Sequence, residues 1–262
     1  MSILRLSREG IFPITKDKDG RPVPTATGLP SPGTIQGEGK LCGVPSLFVR
    51  LQGCNLRCRW TLPDGTVSPC DTAHTWAEGG NPMSVEDVVR TIEANIGSMR
   101  HIVITGGEPL MQPEALASLL TSLRARGLHS TVETNGMADS PPPVLPDLFS
   151  ISPKLSASGI SPSQREASTR GALLLTQAAL AEGRDVQLKF VVSRPSDADE
   201  IRSDYSTLLA LIDPSDVIVM PLGASASLLE RSAKVAVNIA MQNGWRFGPR
   251  LHIDLFGNKE GT

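Results

Sequence analysis

Aromatic residues make up only 4% of the 262-residue chain, with a single tyrosine, and cysteine is scarcer still at four. Four cysteines in so long a chain exclude a disulfide-stapled scaffold, and 40% hydrophobic residues supply a core without crosslinks. No stretch approaches the roughly 20 consecutive apolar residues of a membrane span. The opening MSILRLSREGIF lacks the apolar run of a secretory signal, so a reducing cytoplasm is the expected location. Neither sign of charge dominates. A net charge of −2 sets up no field for a nucleic-acid backbone or an anionic membrane, and neither is expected as a partner.

What is present is concentrated. Cys54, Cys58 and Cys70 share the stretch GCNLRCRWTLPDGTVSPCDT with the spacing C-x3-C-x11-C. In a reducing compartment, three neighbouring thiolates point to a soft metal or an iron–sulfur cluster with one coordination position left open. Adding His74 gives C-x3-C-x11-C-x3-H, which also suits a tetrahedral zinc site in a binding module. The zinc alternative leaves the glycine-rich segments elsewhere in the chain unexplained. Cys42, apart in KLCGVPS, reads as a buried small hydrophobe.

From residue 46 onward, short β-branched runs alternate with helical patterns. The runs are 47–51, 101–105, 130–134, 148–152, 186–193 and 216–220; helices fit 84–97, 112–127, 166–182, 197–211 and 225–242. Ser84 with Asp87 three residues on marks one helix start, and Pro113 near the first turn marks another. Alternation of this kind predicts βα units and a parallel sheet in one domain over 1–262, either a partial open barrel or a doubly wound sheet. Residues 1–33 read as an irregular extension, and 16–34 as a loop or irregular hairpin rich in glycine and proline. His252 is expected on a short final strand.

In such folds the loops at the carboxyl ends of the strands form the working face. The cysteine loop follows 47–51, TGGEPL follows 101–104, ETNG follows 130–132, and SPKLSASG follows 148–151. In TGGEPL the glycines permit close backbone approach to a ligand, and Glu108 offers a carboxylate. Gln36 and Glu38 in TIQGEG can read the edge of a heterocycle. Arg50, flanked by Val49 and Leu51, suits a partner carboxylate or a structural ion pair. Asp71 or Thr72 could hold a hard cation such as Mg²⁺, or cap a turn. Lys154 and Lys189 near strand ends could meet carboxylates. Asp64-Gly65 is a turn signal.

The ordered set TIQGEG, FVRLQGCNLRC, W…CDT, TGGEPL, VETNG, SPKLS and RLHIDLFGN resembles the radical S-adenosylmethionine superfamily and, within it, the 7-carboxy-7-deazaguanine synthases. The resemblance runs from about residue 34 to the C-terminus. It implies a partial (β/α)6-type barrel, and Cys54, Cys58 and Cys70 as ligands of a [4Fe-4S] cluster whose fourth iron holds S-adenosylmethionine. One-electron reduction, from a donor such as flavodoxin or ferredoxin, would release a 5′-deoxyadenosyl radical. That radical would take hydrogen from C6 of 6-carboxy-5,6,7,8-tetrahydropterin, and ring contraction with loss of ammonia would give 7-carboxy-7-deazaguanine on the way to queuosine. Carried over by position, Ile35, Gln36, Gly37, Glu38, Arg50, Thr105 and Thr262 would meet substrate. Pro69, Cys70, Asp71, Gly107, Glu108, Ser152, Pro153, Lys154 and Lys189 would meet the cofactor, and Thr72 would hold Mg²⁺. A homodimer is implied. A radical enzyme acting on another heterocycle or on a protein glycyl residue is the alternative within the superfamily. The pattern departs from the superfamily in one place: an inserted segment at 59–69 lengthens the gap before Cys70. Loop entropy grows slowly with length, so such an excursion can bulge outward while its ends stay in place.

Overall fold

The computed structural model describes residues 2–62 and 64–262. Met1 of the N-terminal extension and Pro63 of the inserted segment lie outside the described residues. The strands are β1 (Ile3–Phe12), β2 (Thr34–Ile35), β3 (Pro45–Leu51), β4 (Arg59–Thr61), β5 (Val67–Pro69), β6 (Asn81–Ser84) and β7 (His101–Gly106). They continue as β8 (His129–Thr134), β9 (Leu148–Ile151), β10 (Asp185–Val192), β11 (Val217–Pro221) and β12 (Arg246–Phe247). Helices α1 (Val85–Asn95), α2 (Pro113–Arg124), α3 (Pro162–Ala181), α4 (Asp197–Asp204), α5 (Ser206–Leu209), α6 (Ala226–Asn243) and α7 (Leu251–Phe256) complete the fold.

The six expected parallel strands are all present, and they neighbour one another in chain order: β3, β7, β8, β9, β10, β11. A doubly wound sheet needs a point where strand order reverses, and there is none in this run. The sheet is therefore the open, partial barrel of the two expected forms. Its strands carry Val, Ile and Leu on both faces, and Leu47, Val49, Ile102, Ile104, Val132, Leu188 and Val219 are fully buried, as parallel strands covered by helices require.

Local chemistry sets the helix ends. The Ser84 hydroxyl accepts from the Asp87 amide at 3.1 Å, as the sequence predicts. Ser161 and Gln164 form a reciprocal capping box, which starts α3 at 162 rather than at the expected 166. The helix expected over 197–211 breaks at Tyr205. That side chain is buried, packs edge-on against Phe190 at 5.0 Å and donates to the Lys154 carbonyl at 3.2 Å.

Three regions differ from expectation. Residues 3–12 are not irregular: they form β1, antiparallel to β3 and to β6, and extend the sheet beyond the barrel strands. Leu4 and Leu6 alternate inward along it. His252 lies on helix α7, not on a strand. Cys42 is half-buried rather than buried, with its thiol 3.5 Å from the Gly37 carbonyl. Residues 16–33 run as an irregular hairpin and loop, closed by an antiparallel bridge between Lys16 and Pro22 and tied to α1 where Asn95 Oδ1 accepts from the Thr15 and Lys16 amides.

The inserted segment forms a two-stranded hairpin, β4 against β5, with Trp60 facing Ser68. Its turn uses Asp64, whose carboxylate accepts from the Thr66 amide, and Gly65 at φ 83°. At its base the Cys70 amide donates to the Cys58 carbonyl at 3.2 Å. The hairpin thus closes on itself and returns the third cysteine beside the second.

Candidate active site

The carboxyl ends of β3, β7, β8, β9, β10 and β11, together with the β2 loop, the hairpin base and α7, enclose one cavity of about 230 Å³. Cys54, Cys58 and Cys70 line one end of it. No disulfide joins them; all four cysteines are free. Leu56, Trp60, Leu62, Ile160 and Leu222 pack around the three thiols as a small apolar cluster distinct from the main core. Burial in this shell raises the pKa of the Cys54 and Cys58 thiols and pushes Cys70, beside Asp71, up to about 12. Without metal these thiols hold their protons, and a thiophilic metal must displace them to bind.

At the other end is a set of charges built around the buried Lys189, with Glu38, Glu133 and Arg250 half-buried. Lys189, inside β10 rather than at its end, reaches Glu38 at 2.9 Å and Glu133 at 3.1 Å. Glu133 also accepts from the Thr105 hydroxyl at 2.8 Å and the Gln36 amide at 3.3 Å. Arg250 donates to Glu38 at 2.9 Å and to the Gly223 carbonyl at 2.5 Å, and it pairs with Asp71. Burial alone would raise the Glu38 carboxyl, but Lys189 and Arg250 hold it well below the usual carboxylate range. Asp71 is likewise lowered, burial being outweighed by Arg250. Lys189 is raised against its own burial by Glu133 and Glu38. Glu38, Asp71, Lys189 and Arg250 are therefore charged at neutral pH.

The cavity gathers most of the residues singled out in the sequence: Ile35, Gln36, Gly37, Glu38, Arg50, Pro69, Asp71, Thr72, Thr105, Gly107, Ser152, Lys154, Lys189 and Thr262 all line it. Two do not reach it. Glu108 is fully buried and holds loops together: its carboxylate accepts from Thr134 Oγ1 at 2.8 Å, the Asn135 amide at 2.8 Å and the Leu110 amide at 3.0 Å. Pro153 is buried behind Ser152 and Lys154. Gly107 has a packing reason for lacking a side chain, since a Cβ there would stand 1.8 Å from the Gly53 carbonyl oxygen. Lys154 folds onto Ser152, with Nζ 2.8 Å from its hydroxyl and from its carbonyl. Arg50 has a structural counter-ion: its Nε lies 3.1 Å from Glu9 and its guanidinium sits over Phe12. The Glu9 contact is poorly aligned, and among the described residues that Nε makes no hydrogen bond.

The four-ligand zinc alternative does not assemble. His74 Nε2 is bound to Glu9 at 2.7 Å, and His74 does not line the cavity that the three thiols share.

A model of the Radical SAM superfamily matches residues 48–153. The 7-carboxy-7-deazaguanine synthase of Halobacterium salinarum is 39% identical over 243 residues, covering 87% of this chain and 90% of its own. That of Rhodopirellula baltica is 34% identical over 236 residues, covering 87% and 85%. The chain belongs to the 7-carboxy-7-deazaguanine synthase family. The crystal structure of QueE from Escherichia coli superposes with a TM-score of 0.55 over 91% of this chain and 93% of that one. At 23% identity it speaks to the fold.

The 7-carboxy-7-deazaguanine synthases are radical S-adenosylmethionine lyases, with a [4Fe-4S] cluster and S-adenosylmethionine as cofactors. The thiol end of the cavity suits such a cluster: three free thiols, an apolar wall, and access to the cavity for a further ligand. Sequence reasoning missed Glu9, Glu133, Arg250 and Asn135. The Asn135 side chain ties the β8 loop to Asn55 of the cysteine loop at 2.7 Å. Glu133 and Arg250 stood within the quoted segments VETNG and RLHIDLFGN, but their partners come from other strands and loops.

Proposed function

We infer that the chain is a 7-carboxy-7-deazaguanine synthase, contracting 6-carboxy-5,6,7,8-tetrahydropterin to 7-carboxy-7-deazaguanine and ammonia in queuosine biosynthesis. The observation that carries this reading is the meeting, in one cavity, of three free thiols with the Gln36–Glu133–Lys189–Glu38 set. When bound, the cluster and S-adenosylmethionine supply one-electron, hydrogen-abstracting chemistry.

The chain's own residues bind and orient. Cys54, Cys58 and Cys70 hold the cluster, and Gly107, Ser152 and Lys154 line the cofactor's part of the cavity. Gln36 and the Glu133 carboxylate offer paired acceptors and a donor to the N–H edge of the pterin. Arg50, which lines the cavity and whose Nε makes no hydrogen bond among the described residues, offers its guanidinium to the substrate carboxylate. Lys189 pairs with Glu38 and Glu133 and holds the Glu38 carboxyl in its ionised form. Thr72, whose hydroxyl is 3.3 Å from the Cys70 sulfur, provides an oxygen ligand for Mg²⁺. Thr262 closes the cavity from the C-terminal side. The net change balances as loss of one ammonia without net oxidation.

The reductant is a one-electron carrier such as flavodoxin or ferredoxin, and the setting is the cytoplasm. Among the described residues no helix is long and apolar enough to cross a membrane. The working unit is a homodimer of one-domain chains; Val237 and Met241, one turn apart on α6, present exposed apolar surface. The test is anaerobic incubation with the carboxytetrahydropterin, S-adenosylmethionine, Mg²⁺ and dithionite. Ammonia released in step with a deazapurine absorbance supports the reading. 5′-Deoxyadenosine formed without either assigns the chain to another radical reaction.

A further inference from the structure

Strand β1 is broken where it passes Arg50. Its ladder with β3 pairs Leu6 with Leu51 and resumes with Ile11 opposite Val49, so residues 7–10 of β1 stand against Arg50 alone. Gly10, at φ 62°, takes the left-handed conformation that such a bulge uses. A bulge re-aims side chains, and this one brings Glu9 to Arg50.

Glu9 is itself held. Its Oε2 accepts from the Ser7 hydroxyl at 2.9 Å and lies 2.7 Å from His74 Nε2. Arg50 Nε is 3.1 Å from the same oxygen, and its guanidinium carbon is 4.9 Å from the centroid of Phe12, which stacks on Phe48. Charge and a ring face therefore hold this head group. Among the described residues hydrogen bonds do not: Nε makes none, and no acceptor is bonded to Nη1 or Nη2. A guanidinium with 14% of its side chain exposed and its donors unspent calls for an anionic ligand. With Nε beside Glu9, the terminal nitrogens are left for the two-pronged grip that a carboxylate matches.

We propose that Glu9 is a positioning residue for substrate specificity, holding Arg50 by its Nε side so that the terminal nitrogens take the pterin carboxylate. The inference rests on the synthase reading, in which Arg50 meets that group. An arginine fixed in advance loses less rotamer freedom when its ligand arrives, so the carboxylate binds more tightly. A mere counter-ion would act in the opposite sense. It would compete with the substrate for Arg50, and its removal would tighten binding.

The test is anaerobic calorimetry on reconstituted enzyme with S-adenosylmethionine and no reductant. The titrants are 6-carboxy-5,6,7,8-tetrahydropterin and the tetrahydropterin that lacks the carboxylate. Glu9→Gln keeps the size of the side chain and an acceptor for Ser7. Its Kd for the carboxylated pterin should rise about three- to tenfold, the worth of one weakened hydrogen bond. Its Kd for the carboxylate-free pterin should not move, and turnover should show the loss in KM with kcat kept. Glu9→Asp, which retains the charge, should recover part of the loss. In an Arg50→Ala background Glu9→Gln should add nothing. Every variant should keep its iron. An unchanged or lowered Kd in Glu9→Gln, or an equal loss for both pterins, would overturn the proposal; if wild type still releases ammonia and makes the deazapurine, the synthase reading survives that result. Should the carboxylated pterin bind with the expected dependence on Glu9 yet no ammonia form, the role of Glu9 in carboxylate binding stands and the synthase reading falls.

Discussion

Replacing Arg250 with methionine probes the join between the two ends of the cavity. The side chain keeps an unbranched apolar stem but loses the guanidinium and its contacts to Glu38, Asp71 and the Gly223 carbonyl. Glu38 retains Lys189, whereas Asp71 is left without its cation. Removing one partner of a buried ion pair costs about 3–5 kcal/mol. Asp71 keeps 29% of its side-chain exposure and can turn toward water, so the lower end applies, about 3 kcal/mol. For a chain of this size that is a fall in melting temperature of roughly 6–12 °C. Circular dichroism melts of cluster-free protein measure it directly. The pH dependence has a definite sign. Both carboxyls are lowered in the folded chain, so their contribution is full above the unfolded carboxylate range near 4 and lost as pH falls below it. The gap between wild type and variant should be widest at neutral pH and narrow on acidification. A fall below about 2 °C at pH 7, or a gap that widens in acid, would refute the reasoning.

Cys70→Ala should lose its iron on anaerobic reconstitution while Cys42→Ala keeps about four irons per chain; full iron in Cys70→Ala would show that the hairpin returns the wrong residue. Arg50→Ala should raise KM for the pterin by about 10–100-fold, the worth of a charge-assisted hydrogen bond, with iron content intact. Unchanged KM would assign Arg50 to Glu9 alone. His101 is buried between the Ser46 hydroxyl at 2.7 Å and the Thr131 hydroxyl at 2.8 Å. Burial, with His129 beside it, lowers its pKa to about 4. Its folded pKa lies below the unfolded value near 6.5, so stability is full above 6.5 and falls by roughly 2–3 kcal/mol as pH approaches 4.5. His101→Gln should flatten that part of the denaturant-midpoint profile; an equally steep profile would place the titration elsewhere.

The barrel strands were legible because each is a β-branched run followed by a glycine or polar loop, a pattern that local chemistry alone produces. Of the hairpin only the turn was legible, since Asp64-Gly65 suits a tight turn whatever surrounds it; strands β4 and β5 were not, being three residues each. β1 was not: its inward Leu4 and Leu6 are interleaved with arginine and serine, and Gly10 at φ 62° interrupts the alternation. His252 was misplaced because RLHIDLF alternates like a strand, whereas the segment is a single short helix with Ile253 buried and Leu255 exposed. The charge set at the cavity's far end was only half visible. Lys189 and Arg50 could be suspected from their apolar neighbours. Arg250, however, meets Glu38 across 212 residues and Asp71 across 179, distances that no local pattern records.

The reaction assigned to this cavity removes one ammonia from a carboxytetrahydropterin and contracts its ring. Chromatography with mass detection, after reconstituted enzyme has turned over that substrate with S-adenosylmethionine and reductant, addresses it most directly. A product that is lighter than the substrate by one ammonia and co-elutes with authentic 7-carboxy-7-deazaguanine is the expected result. Unaltered substrate beside accumulating 5′-deoxyadenosine, or a product that keeps all five nitrogens, would contradict it.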